Sequence, residues 1–71
     1  MHYVQITDEQ DINFTTNLPI MPEIGHHVVI DNESREVLEV RHFIKLDGVR
    51  TTFLNTQILI NSTFHTLHNG R

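Results

Sequence analysis

Apolar and polar residues alternate with a period of two along most of this chain, interrupted at intervals by polar or proline-bearing turns. A period of two marks a strand with one buried face, because successive side chains leave the backbone on opposite sides. His2 to Thr7 sets Val4 and Ile6 against Tyr3, Gln5 and Thr7, which predicts a half-buried strand. Asp8-Glu9-Gln10-Asp11 reads as a polar turn, and Ile12 to Thr16 resumes the alternation as a second strand or an irregular extended arm. Pro19 and Pro22 stiffen a connector over Leu18 to Glu23, since proline fixes φ and biases the preceding residue toward extended geometry. Gly25 then points to a positive φ, a bulge or a close backbone approach beside a third strand, His27 to Asp31, with Asn32-Glu33-Ser34 as its turn.

Arg35 to Leu46 is the longest patterned stretch. Leu38, Val40, Ile44 and Leu46 share one parity, while Val37, Glu39, Arg41, Phe43 and Lys45 share the other. His42 breaks the apolar side. It is either a core histidine with its nitrogens satisfied or the mark of a bulge near Arg41 that turns Phe43 inward and His42 outward, and the bulge is the preferred reading because long strands in small barrels must bend. Asp47-Gly48 is the strongest local signal, an Asp-Gly pair that predicts a type I′ turn closing a hairpin onto Val49. Beyond it Thr52, Leu54, Thr56, Ile58 and Ile60 alternate with Phe53, Asn55, Gln57 and Leu59, as one long strand or two pieces broken at Asn55. The tail from Asn61 to Arg71 is compatible with one short helical turn, a short edge strand or a frayed end.

About five short strands, polar turns and no long helical pattern predict an all-β domain, a small, strongly bent barrel of the SH3-like kind. With 71 residues and no repeat, residues 1–71 read as a single domain. A chain this short buries only about 60% of its unfolded surface, so its core is small. The absence of cysteine removes disulfides and thiolate metal sites, and together with an N-terminus unlike a signal peptide it makes a cytoplasmic setting the expectation. No apolar run approaches the roughly 20 residues of a membrane span.

Nine acidic against five basic residues give a net charge of −4, which argues against phosphate-backbone binding. The six histidines would carry that charge to +2 if all were protonated, so the electrostatics should respond to pH near 6. As metal ligands they are poorly spaced. His26 and His27 point to opposite faces of a strand, and His65 and His68 share a face only in a helix. A composite site of His26 or His27 with His65 and a carboxylate has no recognised signature, and no metal or cofactor is expected. Ser34 and Ser62 lack a nucleophile-elbow context, and Asp8, Glu9 and Asp11 read as solvated turn charges without the pattern of a calcium loop. No enzymatic activity is expected.

Tyr3, Phe14, Phe43, Phe53 and Phe64 lack the interleaved cations of a nucleic-acid surface and read mainly as packing residues. What exceeds expectation is the second sheet face. If Val28, Ile30, Leu38, Val40, Ile44, Leu54, Ile58 and Ile60 fill the interior, then Val29, Val37, Phe43, Phe53 and Leu59 form an outer apolar patch. Apolar residues on both faces of a sheet call for cover on both, and in so short a chain the cover is another chain. The sequence therefore points to a non-catalytic β-barrel module of bacterial or phage origin acting through protein–protein contact, as a homo-oligomer, a homodimer first, or as an accessory or inhibitory partner of a larger protein. A histidine-based metal- or pH-responsive protein is the alternative, and a nucleic-acid-binding barrel the third reading. No nucleic acid and no membrane are expected among its partners.

Overall fold

Every regular element of this computed structural model, which describes residues 1–67, is a β-strand. The strands are β1 (His2–Thr7), β2 (Asn13–Leu18), β3 (His27–Ile30), β4 (Glu33–Asp47), β5 (Arg50–Ile60) and β6 (His65–Thr66). Their order across the sheet is β2-β1-β5-β4-β3, with β6 added to β4, and the sheet curls strongly into an open half-barrel. All pairings are antiparallel except β1 with β5, which run parallel from Val4 opposite Thr56 to Thr7 opposite Leu59. The all-β reading holds. The C-terminal tail, for which a helical turn was one option, instead supplies β6: His65 lies opposite Ser34, Thr66 opposite Glu33, and the Leu67 amide donates to the Asn32 carbonyl at 2.8 Å. His68 lies outside the described residues.

Five side chains make the fully buried core: Val4 and Ile6 from β1, Val37 from β4, and Ile58 and Ile60 from β5. Ile12, Leu18, Met21, Val28, Ile30 and Val40 pack against them, half-buried. Thr56 is the polar member of this face, buried beside the same strands.

Two register shifts decide which residues reach that core. Between Val37 opposite Ile60 and Glu39 opposite Leu59, β4 carries one extra residue, Leu38. Between Phe43 opposite Asn55 and Ile44 opposite Phe53, β5 carries one extra residue, Leu54. A bulge swaps the parity of everything beyond it. Val37 therefore enters the core at 0% exposure while Leu38 sits 41% exposed, the reverse of the parity expectation. The expected bulge exists, but it lies at Leu38 rather than near Arg41. Hence His42 stays on the core face, its Nδ1 2.9 Å from the Thr56 hydroxyl oxygen, and Phe43 points to the outer face opposite Asn55. The second bulge shows that β5 is one strand, distorted beside Asn55 rather than broken there.

The turns differ from expectation by one residue in two places. Asp31 and Asn32 both have positive φ, 51° and 66°, the requirement of a two-residue type I′ turn, and Ile30 pairs directly with Glu33 across it. At the other hairpin Asp47 pairs with Arg50, so the loop is Gly48-Val49 rather than Asp47-Gly48. Only Gly48 has positive φ there, +65°, which is the type II′ pattern. Gly25, at φ +94°, lets the connector turn back onto β4: its amide donates to the Val37 carbonyl at 3.0 Å, and the Val37 amide donates to the His26 carbonyl at 2.7 Å.

Candidate interaction site

From Arg41 to Leu54 every residue is exposed, and this stretch contains the distal halves of β4 and β5 with the Gly48-Val49 loop between them. β3 covers β4 only as far as Glu36, and β1 covers β5 only from Thr56 onward, so the hairpin beyond those points is a bare two-stranded arm. Seven residues of strand at about 3.3 Å each carry it some 20 Å out of the body. The molecule measures 57 × 25 × 19 Å with a radius of gyration of 14.4 Å, where a compact chain of this length has about 11 Å.

The arm has two unlike faces, set by the register. His42, Ile44, Leu46, Thr51 and Phe53 lie on the face that continues the core side of the sheet, with the His42 and Phe53 rings tilted at 6.4 Å between centroids. Arg41, Phe43, Lys45, Asp47, Arg50 and Thr52 lie on the other. Arg41 donates to the Glu39 carboxylate at 2.9 Å, and that hydrogen bond lowers the Glu39 pKa below the ordinary carboxylate range. Among the described residues Lys45 and Arg50 make no ion pair.

At the root of the arm the proline connector crosses the core face and leaves a groove of about 420 Å³ lined by Met21, Pro22, Glu23, Ile24, Val40 and His42. A second depression shares Met21 and Pro22 with it and extends past Leu18 and Ile20 to Val28 and Val29. His26 closes the connector turn, its Nδ1 accepting from the Glu23 amide at 3.2 Å while its own amide donates to the Glu23 carbonyl at 2.9 Å.

The five residues expected to form one outer patch are distributed differently. Phe43 (41% exposed) and Phe53 (57%) are both on the arm, but on opposite faces. Val29 is exposed on β3, opposite Ser34 and at the far end of β4 from the arm. Leu59 is half-buried opposite Thr7 and Glu39. Val37 is a core residue and belongs to no surface, a correction that follows directly from the Leu38 bulge. In their place the structure exposes Ile44, Leu46 and Leu54, two of which were expected inside. Over β1 and β2 the outer face is polar: Gln5 donates to Asn13 at 2.8 Å and accepts from Asn55 at 3.4 Å, and the Tyr3 hydroxyl donates to Thr15 at 2.9 Å. The hairpin arm thus carries a dense run of exposed apolar residues, while Ile20, Ile24, Val29 and Leu38 are exposed outside it.

Sequence reasoning also missed a buried clasp. Asp8, expected as a solvated turn charge, is buried and its Oδ1 accepts the backbone amides of Gln10, Asp11 and Ile12, each at 2.9 Å. Its Oδ2 accepts from Arg35 Nη1 at 3.1 Å, and the same guanidinium reaches the carbonyls of Asn61 and Ser62, the Glu33 carboxylate at 3.2 Å and the face of the Phe64 ring. Arg35 Nε has no partner among the described residues. This arrangement ties the β1–β2 turn, β4 and the C-terminal segment together and presents no reactive group. One signal was available, since Arg35 is the only lysine or arginine before residue 41.

Among the described residues no three histidine or carboxylate side chains gather as a metal site, and no helix is long and apolar enough to cross a membrane. The chain matches no family model, no curated protein and no solved structure.

Proposed function

We propose that this chain is a protein-contact module, built on a small barrel of the SH3-like kind, whose working part is the hairpin arm Arg41 to Leu54. The observation that carries the proposal is an ordered ribbon that no other described residue covers on either face, bearing Phe43, Ile44, Leu46, Val49, Phe53 and Leu54 in the open. Fixing a residue's backbone costs about 1–2 kcal/mol, and an isolated two-stranded hairpin in water is marginal at best. Burial against a partner supplies the missing stabilisation. Apolar side chains at such density on an exposed ribbon are characteristic of a contact surface rather than of a solvated one.

The test is site-specific photo-crosslinking in cells, with the crosslinking residue at position 53 or 44 and, as control, at the exposed Glu9. Adducts to polypeptide, of this chain or another, should form from the arm positions and not from position 9. Equal labelling at all three, or none, would remove the arm from its assigned role. The cations Arg41, Lys45 and Arg50 on one arm face favour nucleic acid as a second reading, which requires salt-dependent oligonucleotide binding lost on their replacement. The apolar opposite face and the overall charge of −4 weigh against it.

A further inference from the structure

One edge of β4 has no partner beyond Val37 among the described residues, since β3 pairs with it only as far as Glu36 and the connector bonds only to Val37. The Val37 amide and carbonyl face this edge, bonding to His26 and Gly25, whereas the Glu36 carbonyl turns the other way, toward Asn61. The extra residue at Leu38 moves that alternation by one, so Val40, His42, Ile44 and Leu46 turn their N–H and C=O groups outward along the arm. The hairpin end agrees, because Asp47 and Arg50 close a two-residue loop and a closing pair bonds inward. Such an edge is a template for one chemistry, an extended polypeptide strand.

We infer that the strand which completes this edge is the same edge of a second copy, paired antiparallel about a two-fold axis at Ile44. Charge and space together select that register. With Ile44 opposite its counterpart, Arg41 faces Asp47 and Phe43 faces Lys45, each pair occurring twice by symmetry and all on one face of the arm. Lys45 and Asp47 have no ion-pair partner within the chain among the described residues, and an ammonium over a phenylalanine ring is itself attractive. Outward backbone groups must meet outward ones, so the axis passes through a residue. At Phe43 it sets Arg41 against Lys45 and Glu39 against Asp47, and at Lys45 it sets that lysine against itself. At His42 it drives the Gly48 tip opposite Glu36, where His27 of β3 already lies, and at Leu46 it leaves Arg41 outside the ladder. At Ile44 the tip ends opposite Val40, clear of the connector's bonds at Val37. The pairing exchanges about six backbone hydrogen bonds and turns two bare ribbons into one sheet of four strands, enough for an element to be stable where a lone hairpin is not. The bare edge of β5, Arg50 to Asn55, holds no acidic residue and offers no such match. This inference rests on the arm being the contact element.

Sedimentation velocity on the purified full chain over a concentration series is the experiment, with the melting temperature of each variant measured in parallel. The wild type should show a monomer–dimer equilibrium. Ile44→Pro deletes an amide that faces away from β5, so the hairpin tolerates it as edge strands tolerate proline, while dimerisation is lost. Arg41→Asp alone and Asp47→Arg alone each set like charges opposite one another and should raise the dimer Kd by about tenfold. The double variant Arg41→Asp with Asp47→Arg restores opposite signs and should regain most of the affinity, an outcome that a merely structural role for either residue does not produce. Because the chain has no cysteine, the register is read directly: mild oxidation of an equimolar mixture of Phe43→Cys and Lys45→Cys copies should give the mixed disulfide in excess over either self-linked species. A single-chain mass at every concentration, assembly beyond the dimer, a double variant no tighter than the single ones, or a random distribution of disulfides would overturn the inference. A monomer whose arm still crosslinks to a different protein would overturn this inference alone and leave the proposed function standing.

Discussion

Asp8 and Arg35 meet as a buried ion pair at 3.1 Å, joining a turn near the start of the chain to the middle of the sheet. The carboxylate is doubly employed, because its other oxygen already holds three backbone amides of the β1–β2 turn. Removing it would leave those three amides without their acceptor and the guanidinium without its buried counter-charge in a nearly dry site, with only Glu33 and the carbonyls of Asn61 and Ser62 still facing Arg35. Asp8→Ala should therefore lower the midpoint of urea unfolding further than alanine at the exposed Glu9 or Asp11. Asp8→Asn, which keeps an oxygen for the turn but loses the charge facing Arg35, should fall between. Equal midpoints for Asp8→Ala and Glu9→Ala would show that the clasp contributes nothing to stability.

The same residue gives the protein an acid-sensitive limb. Burial pushes the Asp8 carboxyl up, but the amides of Gln10, Ile12 and Asp11 and the charge of Arg35 outweigh it and hold the pKa below the ordinary aspartate range. A carboxyl whose folded pKa is depressed contributes stability above its unfolded pKa of about 3.9, and loses that contribution as pH falls through the folded value. Unfolding free energy should thus decline below about pH 4 with a component that Asp8→Asn removes. Parallel acid limbs for wild type and variant would contradict the assignment.

The bulge at Leu38 reverses two neighbouring residues, and truncation reads the reversal directly. Val37→Ala removes methyl groups from a site with 0% exposure and should cost about 2 kcal/mol, while Leu38→Ala, though it deletes a larger side chain, should cost under about 1 kcal/mol. Denaturant titrations of the two variants decide it. A larger loss at Leu38 would restore the simple alternating parity.

The β3–β4 turn uses two non-glycine residues at positive φ, Asp31 and Asn32. Glycine adopts that region without steric cost, and Asx-Gly is the preferred type I′ pair. Asn32→Gly should raise stability by about 0.5 kcal/mol, read as a higher unfolding midpoint, the relief of strain exceeding the added freedom of the unfolded chain. A lower midpoint would mean that the asparagine side chain contributes more than its backbone conformation costs.

Gly25 and Gly48 share a positive φ and open space around any added Cβ, so alanine at either is strained by its backbone alone, by about 1 kcal/mol. Their consequences should differ by location. Gly25 sits where the connector bonds to Val37, so Gly25→Ala should lower the global melting temperature. Gly48 is at the tip of the bare arm, so Gly48→Ala should accelerate amide exchange in the arm while changing the global melting temperature less. Equal global losses would show that arm and body unfold as one unit.

Local chemistry carried much of this protein. Val4, Ile6, Ile58 and Ile60 lie inside as their alternation requires, and the prolines at 19 and 22 keep the connector out of the sheet, because both effects act within a few residues. Gly25 and Gly48 take the positive φ expected of turn and bulge positions. The placement of Val37, Leu38 and Leu54 was decided only in the tertiary structure. A bulge inserts one residue without leaving a mark in composition, and each one inverts the face of the whole strand beyond it. The Asp8 clasp is also a tertiary product, since a turn aspartate becomes a buried partner only when Arg35, 27 residues away, is brought to it. The arm depends on where neighbouring strands stop: β4 and β5 have the same alternating pattern inside the barrel and beyond it. Only the short reach of β1 and β3 leaves their distal halves uncovered, and with them the surface on which the proposed function rests.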